Sequence, residues 1–474
     1  TIDGVEHDPM YNAINRYNHV PKVTLPFTKV RAAVDDYFNF LRGEILKDQP
    51  DLSALSFEAA CSGLEGVDFA NGLSRSSSPG YPYSQWLEVR RKGGKKAFFG
   101  DAQEFDFDSE SCKYLKRDVF AFLSSDSPSD PDHNLSCVYQ DTLKDELLSK
   151  EKVANVRTRL VSACPLHVTI AWRMMFMRLI VYLNNKRYDI ESGVGVNCVS
   201  SEWSTIKNRL LSNSNLMEDG DQSGFDTNQH PVIQQLIFEK LVQLVNFDRR
   251  EFPSAYENFK NSYIRSTHVC DGNFYRWAGS LPSGHPLTIT FNCLYLSVAF
   301  RCAWLYNGNQ LKDFRDNVSL ITYGDDSILS VKEEFIDSFD HAHIAEGMGS
   351  IGLSYTDAQK READKCPRYK SIDEISFLKR TFRYDPTLGQ TVAPLKIESI
   401  LERVCWSSTK GDDKELMLAR CNDSLQDLVL HGKEVWEKYG PSIVDAYENE
   451  YNDVLPYPTW DSCLTVVSQQ LGGA

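Results

Sequence analysis

Two apolar runs surround an acidic corner in the second half of the chain. Residues 319–331 read Ser-Leu-Ile-Thr-Tyr-Gly-Asp-Asp-Ser-Ile-Leu-Ser-Val, with a Gly-Asp-Asp triplet between two β-branched and apolar halves. This pattern predicts a β-hairpin with buried flanks, because glycine enters a tight turn at low conformational cost. Leu216 and Met217 predict a further strand that ends at Asp221.

Helical spacing of apolar residues dominates elsewhere. One face of a predicted helix is marked by Ile233, Leu236, Ile237, Leu241 and Leu244. Its expected N-cap is Thr227 or Asn228. Further helices are predicted over 29–46, 168–183 and 286–306.

The apolar segment 286–306 is close to the ~20 residues that a membrane span needs. Pro286 begins it, and Asn292 and Arg301 interrupt it. A buried helix is therefore the better interpretation, and no transmembrane anchor is predicted. Any membrane association would be peripheral or through partners.

Two pairs of carboxylates fall at predicted strand ends or turns. Asp325 and Asp326 stand side by side at the hairpin tip, and Asp226 follows Asp221 by five residues. Adjacent carboxylates repel each other and are tolerated best where a divalent cation neutralises them. The alternatives are a solvated turn for the first pair and an ordinary loop before a helix cap for the second.

A run of cations precedes the helix predicted over 168–183. Five lie within residues 144–159, namely Lys144, Lys150, Lys152, Arg157 and Arg159. At strand spacing Arg157 and Arg159 point to the same side. The run is either a solvated charged face or a strand that presents cations to a polyanion.

Polar side chains also mark the start of the apolar helix. Thr288 and Asn292 are four residues apart, so both lie on one helix face after a Gly/Pro/Ser loop. They indicate a directed polar contact. The alternative is a threonine that bonds to its own helix and a satisfied core amide.

Composition narrows the class of protein. The chain has 474 residues, 42% of them hydrophobic, and its length suggests about three domains of ~150 residues. A net charge of −15 excludes a protein that merely coats nucleic acid, and an RNA partner would require basic residues concentrated in a channel. Twelve cysteines without a C-x-x-C pair favour a reducing compartment, and no signal peptide is predicted.

These residue types together fit nucleotide transfer from a triphosphate, which needs two divalent ions ~3.5–4 Å apart. Hard carboxylates bind such ions, and the candidates are Asp221, Asp325 and Asp326. Candidate cations for the triphosphate are Lys152, Arg157 and Arg159. Candidate polar partners of a ribose 2′-hydroxyl are Asp226, Thr288 and Asn292.

Over most of its length the sequence resembles viral RNA-dependent RNA polymerases, most closely those of picornavirus-like positive-strand RNA viruses. The motifs occur in the family's order: the template-entry loop, the nucleotide-gripping fingers motif, motifs A, B and C, the primer grip and the thumb start. They lie at 77–83, 144–160, 221–226, 282–292, 323–326, 377–380 and 394–406.

The resemblance implies an α+β right-hand fold with an antiparallel palm sheet, closed by fingertips. The implied domains are fingers at 1–178 and 229–279, palm at 179–228 and 280–384, and thumb at 385–474.

The resemblance also implies the site residues. The catalytic and metal-binding residues would be Asp221, Asp325 and Asp326, with Lys360 protonating the leaving pyrophosphate. The nucleotide would be bound by Lys144, Lys152, Arg157, Arg159, Asp226, Ser283, Thr288 and Asn292. Template and primer would contact Ser78, Pro79, Gly80, Tyr81, Lys379 and Arg380. For Lys360 a plain surface lysine is the alternative.

The family implies Mg²⁺-dependent synthesis of RNA on a viral RNA template, with Mn²⁺ able to substitute. It also implies a polyprotein origin, a host-cytoplasmic location at membrane-associated replication complexes reached through partners, and a protein primer and other viral replication proteins as candidate partners. A reverse transcriptase is the nearest rival, which Gly324 and the polar ribose set disfavour. A silent RNA-binding scaffold subunit is the other, which the intact carboxylates disfavour.

Three features depart from the picornavirus pattern. The chain begins with Thr1 where many of those enzymes begin with glycine, and His285-Pro286-Leu287 replaces small residues in motif B. The balance of charge is acidic. These features point towards an insect picorna-like virus of dicistrovirus or iflavirus type.

Overall fold

The structure is a computed structural model that describes residues 8–124, 137–245, 250–361, 365–406 and 414–472. Thr1, the first departure from the family pattern, lies outside the described residues.

Within the described residues, helices α1 to α6 precede the first strand, helices α15 to α18 follow the last one, and the strands lie between these two groups. The α-helices are α1 Pro9–Asn15, α2 Phe27–Asp48, α3 Phe57–Ser62, α4 Leu87–Lys92, α5 Lys96–Phe99, α6 Glu110–Ser124, α7 Lys150–Ala154, α8 Leu166–Lys186, α9 Glu202–Asn213, α10 Pro231–Val242, α11 Ala255–Ile264, α12 Thr288–Tyr306, α13 Phe314–Asn317, α14 His341–Gly349, α15 Ile397–Cys405, α16 Lys414–Val429, α17 Lys433–Tyr451 and α18 Trp460–Gly472. The β-strands are β1 Val138–Leu143, β2 Leu160–Ala163, β3 Met217–Gln222, β4 Thr267–Cys270, β5 Asn273–Arg276, β6 Val318–Tyr323, β7 Asp326–Val331, β8 Tyr355–Thr356, β9 Arg383–Asp385 and β10 Gln390–Val392.

The chain divides into two compact units. Within the described residues, the first unit comprises 8–192, 222–311 and 345–355. The second comprises 193–221, 312–344 and 356–472.

The first unit packs helices around a four-stranded sheet of order β2-β1-β4-β5. Strand β1 is antiparallel to β2 and parallel to β4, and β4 is antiparallel to β5. Aromatic rings fill the core beside α8 and α12. Trp172 is fully buried, and the rings of Tyr263 and Phe291 stack at 3.9 Å.

Helix α12 confirms the buried helix predicted over 286–306. Its Arg301 is fully buried, and the guanidinium donates to both Glu191 carboxylate oxygens at 2.8 Å and to Asp36 at 2.8 Å. A buried cation is tolerated because it is paired, and removal of one partner typically costs about 3–5 kcal/mol.

Two helical segments have the length and hydropathy of a membrane span, Leu166–Ile190 and Thr288–Tyr306. Their apolar windows are 67% and 83% buried within the protein. Such burial is typical of the core helices of a globular protein, and these helices can match a membrane span in length and composition.

The second unit contains a four-stranded sheet of order β6-β7-β3-β8, in which β7 pairs antiparallel with both β6 and β3. Helices α15 to α18 form a separate core around Leu425, Leu428, Trp436 and Val467. The antiparallel sheet and the mixture of helices and strands agree with the α+β class predicted from the sequence.

The predicted hairpin is confirmed, since β6 and β7 pair from Val318↔Val331 to Tyr323↔Asp326 around Gly324. The predicted N-cap of α10, Thr227 or Asn228, is wrong. His230 caps α10 by accepting a hydrogen bond from the Val232 N–H, while Asp226–Asn228 forms a short 3₁₀ turn. Pro231 at the first helical position explains the later start, because its missing N–H costs nothing there.

Candidate active site

Three carboxylates converge at one end of the sheet in the second unit. Asp221 in β3 and Asp326 at the start of β7 are direct partners across the ladder. Asp325 occupies the turn after Gly324, whose φ of +66° favours glycine. One carboxylate oxygen from each of the three lies within 4.8 Å of the others. The sequence-predicted acidic residues are thus brought together.

The electrostatics of this acidic cluster call for a cation. Burial, together with the neighbouring charges of Asp325 and Asp221, raises the pKa of Asp326 to about 7. Like charges in a partly desolvated site disfavour ionisation unless a positive charge joins them. Three hard oxygen donors are the ligand set that divalent cations such as Mg²⁺ prefer. The residues present therefore fit a divalent metal.

Lys360 supplies one positive charge to the cluster. Its Nζ lies 2.9 Å from Asp221 Oδ2, although the side chain is 71% exposed. The hydrogen bond to Asp221 raises the pKa of Lys360, and the Asp325 and Asp326 charges act in the same direction. The structure thus places Lys360 beside the predicted metal ligands, with its ammonium protonated.

A buried ion cluster anchors the segment that carries Lys360. The Lys360 N–H donates to the Asp357 carbonyl at 2.8 Å, and the Asp357 carboxylate pairs with Lys370 Nζ at 3.2 Å. Lys370 also pairs with Asp219 of β3. Since Asp219 lies two residues before Asp221, the segment is tied to the strand that carries the metal ligand.

The predicted triphosphate-binding cations lie in the first unit and are all exposed: Lys144, Lys152, Arg157 and Arg159. Glu146 organises two of them, since it forms a two-pronged ion pair with Arg159 and lies 3.6 Å from Lys144 Nζ. These contacts lower the pKa of Glu146, the Arg159 hydrogen bond first.

The strand expected at Arg157 and Arg159 is displaced. Lys152 lies in α7, and β2 begins only at Leu160, so both arginines precede the strand. Val156 has a left-handed φ of +50°, which turns the chain before Arg157. The Lys144 N–H bonds to the Arg159 carbonyl at 2.9 Å and extends the ladder by one pair.

Two of the residues predicted to contact the ribose, Asp226 and Asn292, form a hydrogen bond with each other in the first unit. Asn292 Nδ2 donates to Asp226 Oδ1 at 3.0 Å. The Asp226 carbonyl accepts from the Leu281 N–H at 2.8 Å, which joins the loop before α10 to the loop before α12. Asp226 and Asn292 thus form one polar cluster.

The hydroxyls of Ser283 and Thr288 contact the backbone. Ser283 Oγ accepts from the Ser162 N–H at 3.1 Å and donates to the Leu160 carbonyl at 3.3 Å. Thr288 Oγ1 donates to the His285 carbonyl at 2.8 Å. The motif B loop is therefore docked on β2, and Thr288 bonds to the loop that precedes its helix and not to the helix itself.

The predicted template loop packs against the start of α8. The Leu166 N–H donates to the Pro79 carbonyl at 2.9 Å, and a Cβ on Gly80 would lie 2.5 Å from the Cys164 carbonyl oxygen. Tyr81 is half-buried, and its ring meets Phe274 edge-on at 5.9 Å. Ser78 is exposed, and its Oγ accepts from the Gly80 N–H at 3.2 Å.

The two primer-grip cations differ in their surroundings. Lys379 is exposed, and its charge partly offsets the rise that burial causes in the pKa of Asp326. Arg380 is paired with Asp427 at 3.0 Å and donates to the Ala393 carbonyl at 2.7 Å. The structure therefore leaves Lys379 accessible and gives Arg380 a contact with α16.

Three residues near these sites escaped the sequence reasoning: Glu146, Gln229 and Gln234. Glu146 had a weak signal, because it is one of three acidic residues in the cation run, with Asp145 and Glu151. Gln229 and Gln234 had no such signal, because a glutamine is uncharged and neither residue lies at helical spacing from Asn292. In the sequence alone they cannot be distinguished from surface glutamines.

Comparison with known proteins decides the family. The sequence model described as viral RNA-dependent RNA polymerase matches residues 3–442. The chain belongs to this family. The chain is 32% identical over 405 residues to the replicase polyprotein of Drosophila C virus, and the matched region covers 82% of this chain and 23% of that protein. It is also 32% identical over 409 residues to that of cricket paralysis virus, covering 82% and 22%.

The chain thus spans less than a quarter of the length of these curated relatives. A solved sicinivirus RNA-dependent RNA polymerase superposes with a TM-score of 0.80 at 22% identity, covering 99% of this chain and 90% of that one, which shows the fold. The right-hand polymerase fold and the insect picorna-like relationship expected from the sequence are confirmed. Neither a reverse transcriptase nor a silent scaffold subunit finds support among these relatives.

Proposed function

We propose that Asp221, Asp325 and Asp326 bind the divalent ions of RNA synthesis, with Mg²⁺ as the physiological ion and Mn²⁺ able to substitute. The observation that carries the proposal is the approach of the three carboxylates to within 4.8 Å. When bound, such ions supply activation of the attacking hydroxyl and neutralisation of the phosphate charge. The chain's own contribution is a fixed set of oxygen donors on two paired strands.

The exposed cations of the first unit would bind the triphosphate. Lys144, Lys152, Arg157 and Arg159 have side chains accessible to a polyanion. When no triphosphate is bound, Glu146 pairs with Arg159 and Lys144. A phosphate that displaces Glu146 gains charge-assisted, two-pronged hydrogen bonds from Arg159. Ser283 would act at the same step by fixing the loop beside β2.

Lys360 is proposed to protonate the leaving pyrophosphate. We expect Lys360→Met to lower kcat for single-nucleotide addition by about 10²-fold, the scale of general-acid catalysis. The kcat of Lys360→Arg should fall by a similar factor, because a guanidinium keeps the charge but does not release its proton at neutral pH. Single-turnover extension of an RNA primer measures both rates.

The control is Lys433→Met, which removes a 61% exposed lysine whose partner is Glu437. This variant should extend primers at the wild-type rate. Wild-type kcat in Lys360→Arg, together with a slow Lys360→Met, would reduce Lys360 to a counter-charge for Asp221.

Asp226 and Asn292 are proposed to recognise the ribose. We expect Asn292→Ala to lower the ratio of kcat/KM for a ribonucleotide to that for its deoxy analogue by about 10-fold or more. A polar site that bonds a substrate hydroxyl discriminates strongly against the analogue that lacks it. Steady-state incorporation of matched ribo- and deoxynucleotides opposite one template base measures the ratio.

Thr288→Val serves as the matched comparison on the same helix face, since its hydroxyl bonds to the His285 carbonyl. The structure predicts a smaller change of the ratio in that variant. An Asn292→Ala variant with an unchanged ratio would refute ribose recognition by this pair.

Template and primer RNA are proposed to contact Ser78, Pro79, Gly80 and Tyr81, and Lys379 with Arg380. The domain division predicted from the sequence is likewise proposed: fingers at 1–178 and 229–279, palm at 179–228 and 280–384, and thumb at 385–474.

The polyprotein relatives support other viral proteins as partners and replication in the host cytoplasm. A protein primer and membrane-associated replication complexes belong to the same proposal.

A further inference from the structure

A row of side-chain amides leads from the protein interior to Asp226. Gln234 Nε2 donates to Gln229 Oε1 at 3.3 Å, and Gln229 Nε2 donates to Asn292 Oδ1 at 2.6 Å. Asn292 Nδ2 then donates to Asp226 Oδ1 at 3.0 Å. Both glutamines are fully buried, and Asn292 is 7% exposed. We call these three amides the amide relay.

The direction of the relay is fixed at both ends. An ionised carboxylate accepts hydrogen bonds and donates none, so Asn292 must present its NH₂ group to Asp226. At the other end Gln234 Nε2 also donates at 2.6 Å to the Ser280 carbonyl, which again only accepts. Reversal of the three amides would place oxygen against oxygen at both ends. The relay therefore has one stable polarity.

The backbone around Gln229 holds the middle of the relay in place. The Ser280 N–H donates to the Gln229 carbonyl at 2.9 Å. A Cβ on Gly279 would lie 2.8 Å from the same carbonyl oxygen, and the φ of Gly279 is +81°. The next residue, His230, donates its N–H to the Tyr295 hydroxyl at 3.0 Å. Gln229 is thus clamped between the loops that precede α10 and α12.

We propose that Gln229 is a positioning residue for ribose discrimination. This proposal rests on the proposed recognition of the ribose by Asp226 and Asn292. Gln229 occupies the oxygen of Asn292, so the amide cannot turn and its NH₂ group stays on Asp226. Asp226 is in consequence held in one orientation as a hydrogen-bond acceptor for a sugar hydroxyl. Without Gln229 the oxygen of Asn292 loses its hydrogen-bond donor, so the Asn292 side chain can move and its NH₂ group no longer holds the Asp226 carboxylate in one place.

The test uses Gln229→Met, which keeps the length of the side chain and removes both polar groups. We expect kcat/KM for a ribonucleotide to fall by about 5- to 10-fold, the worth of roughly one hydrogen bond. The value for the matched deoxynucleotide should stay within twofold, because no 2′-hydroxyl is there to be recognised. Gln235→Met on α10 is the control, since Gln235 is exposed and bonds to Glu239.

A general loss of packing would lower both kcat/KM values together and would overturn the proposal. An unchanged ratio in Gln229→Met, with a collapsed ratio in Asn292→Ala, would also overturn it while leaving ribose recognition by Asn292 intact. Unchanged ratios in both variants would remove the proposed function of Asn292 and this inference with it. If Gln229→Met does not fold, Gln234→Met tests the same relay one step further from Asp226. A ratio that falls in that variant supports the relay, and an unchanged ratio contradicts it.

Discussion

Asp325→Asn is expected to lower the rate of nucleotide addition by about 10³-fold or more while the protein stays folded. A ligand of the catalytic metals contributes several kcal/mol of charge stabilisation, and each 1.36 kcal/mol is tenfold in rate. Stability should not suffer, because Asp325 is exposed and its charge raises the pKa of Asp326. Removal of one negative charge relieves that repulsion. Single-turnover extension and thermal unfolding measure the two effects.

The matched control is Asp316→Asn, an exposed aspartate in α13 of the same unit. It should extend primers at the wild-type rate. A second readout is the rise of Tm on addition of Mg²⁺ or Mn²⁺, which binding to the folded state produces. The rise should be present in Asp316→Asn and lost or reduced in Asp325→Asn. A fully active, folded Asp325→Asn protein would contradict the assignment of the acidic cluster.

Gly284→Ala is the second change for which a large effect is expected. A Cβ at this position would lie 2.1 Å from the Ser162 carbonyl oxygen, and that oxygen belongs to the backbone of β2. The motif B loop would have to leave β2, breaking the two bonds of Ser283 Oγ to this strand. We expect a loss of about 1–3 kcal/mol in the free energy of unfolding, as for overpacked cores. Displacement of the loop should also lower activity by about 10- to 100-fold, since small misplacements near a substrate cost that much.

Gly43→Ala is the matched glycine control, because it lies inside α2 with no atom within 4 Å of the added Cβ. That variant should be as stable as the wild type or more stable by up to about 1 kcal/mol. Denaturant unfolding compares the two variants directly. Equal stabilities for Gly284→Ala and Gly43→Ala would show that the loop does not approach β2 as closely as described.

The local features of the fold could be predicted from the sequence because their causes are local. The hairpin at 318–331 follows from two apolar runs and one glycine, and the carboxylates at its tip are placed by the turn itself. Asp221 was predictable as their partner because a short strand ends there, and the register Asp221↔Asp326 completes the cluster. The approach of Lys360 was implied by family resemblance alone.

The misses arise where distant segments decide the contacts. Ser283 bonds to the backbone of β2, more than a hundred residues away, and no local pattern indicates that partner. Arg159 precedes its predicted strand because Val156 turns the chain. Gln229 and Gln234 became visible only when the fold brought them beside Asn292. Polar side chains of one type serve surface or buried roles, and tertiary packing decides which.

The most direct test of the central claim is single-nucleotide extension of an RNA primer–template hairpin by the wild-type protein. Ribo- and deoxynucleotides are compared, each with Mg²⁺ and with a chelator. The acidic cluster and the Asp226–Asn292 pair predict extension that requires the metal and prefers ribonucleotides. Extension that persists with the chelator, or a preference for deoxynucleotides, would contradict the account of the site.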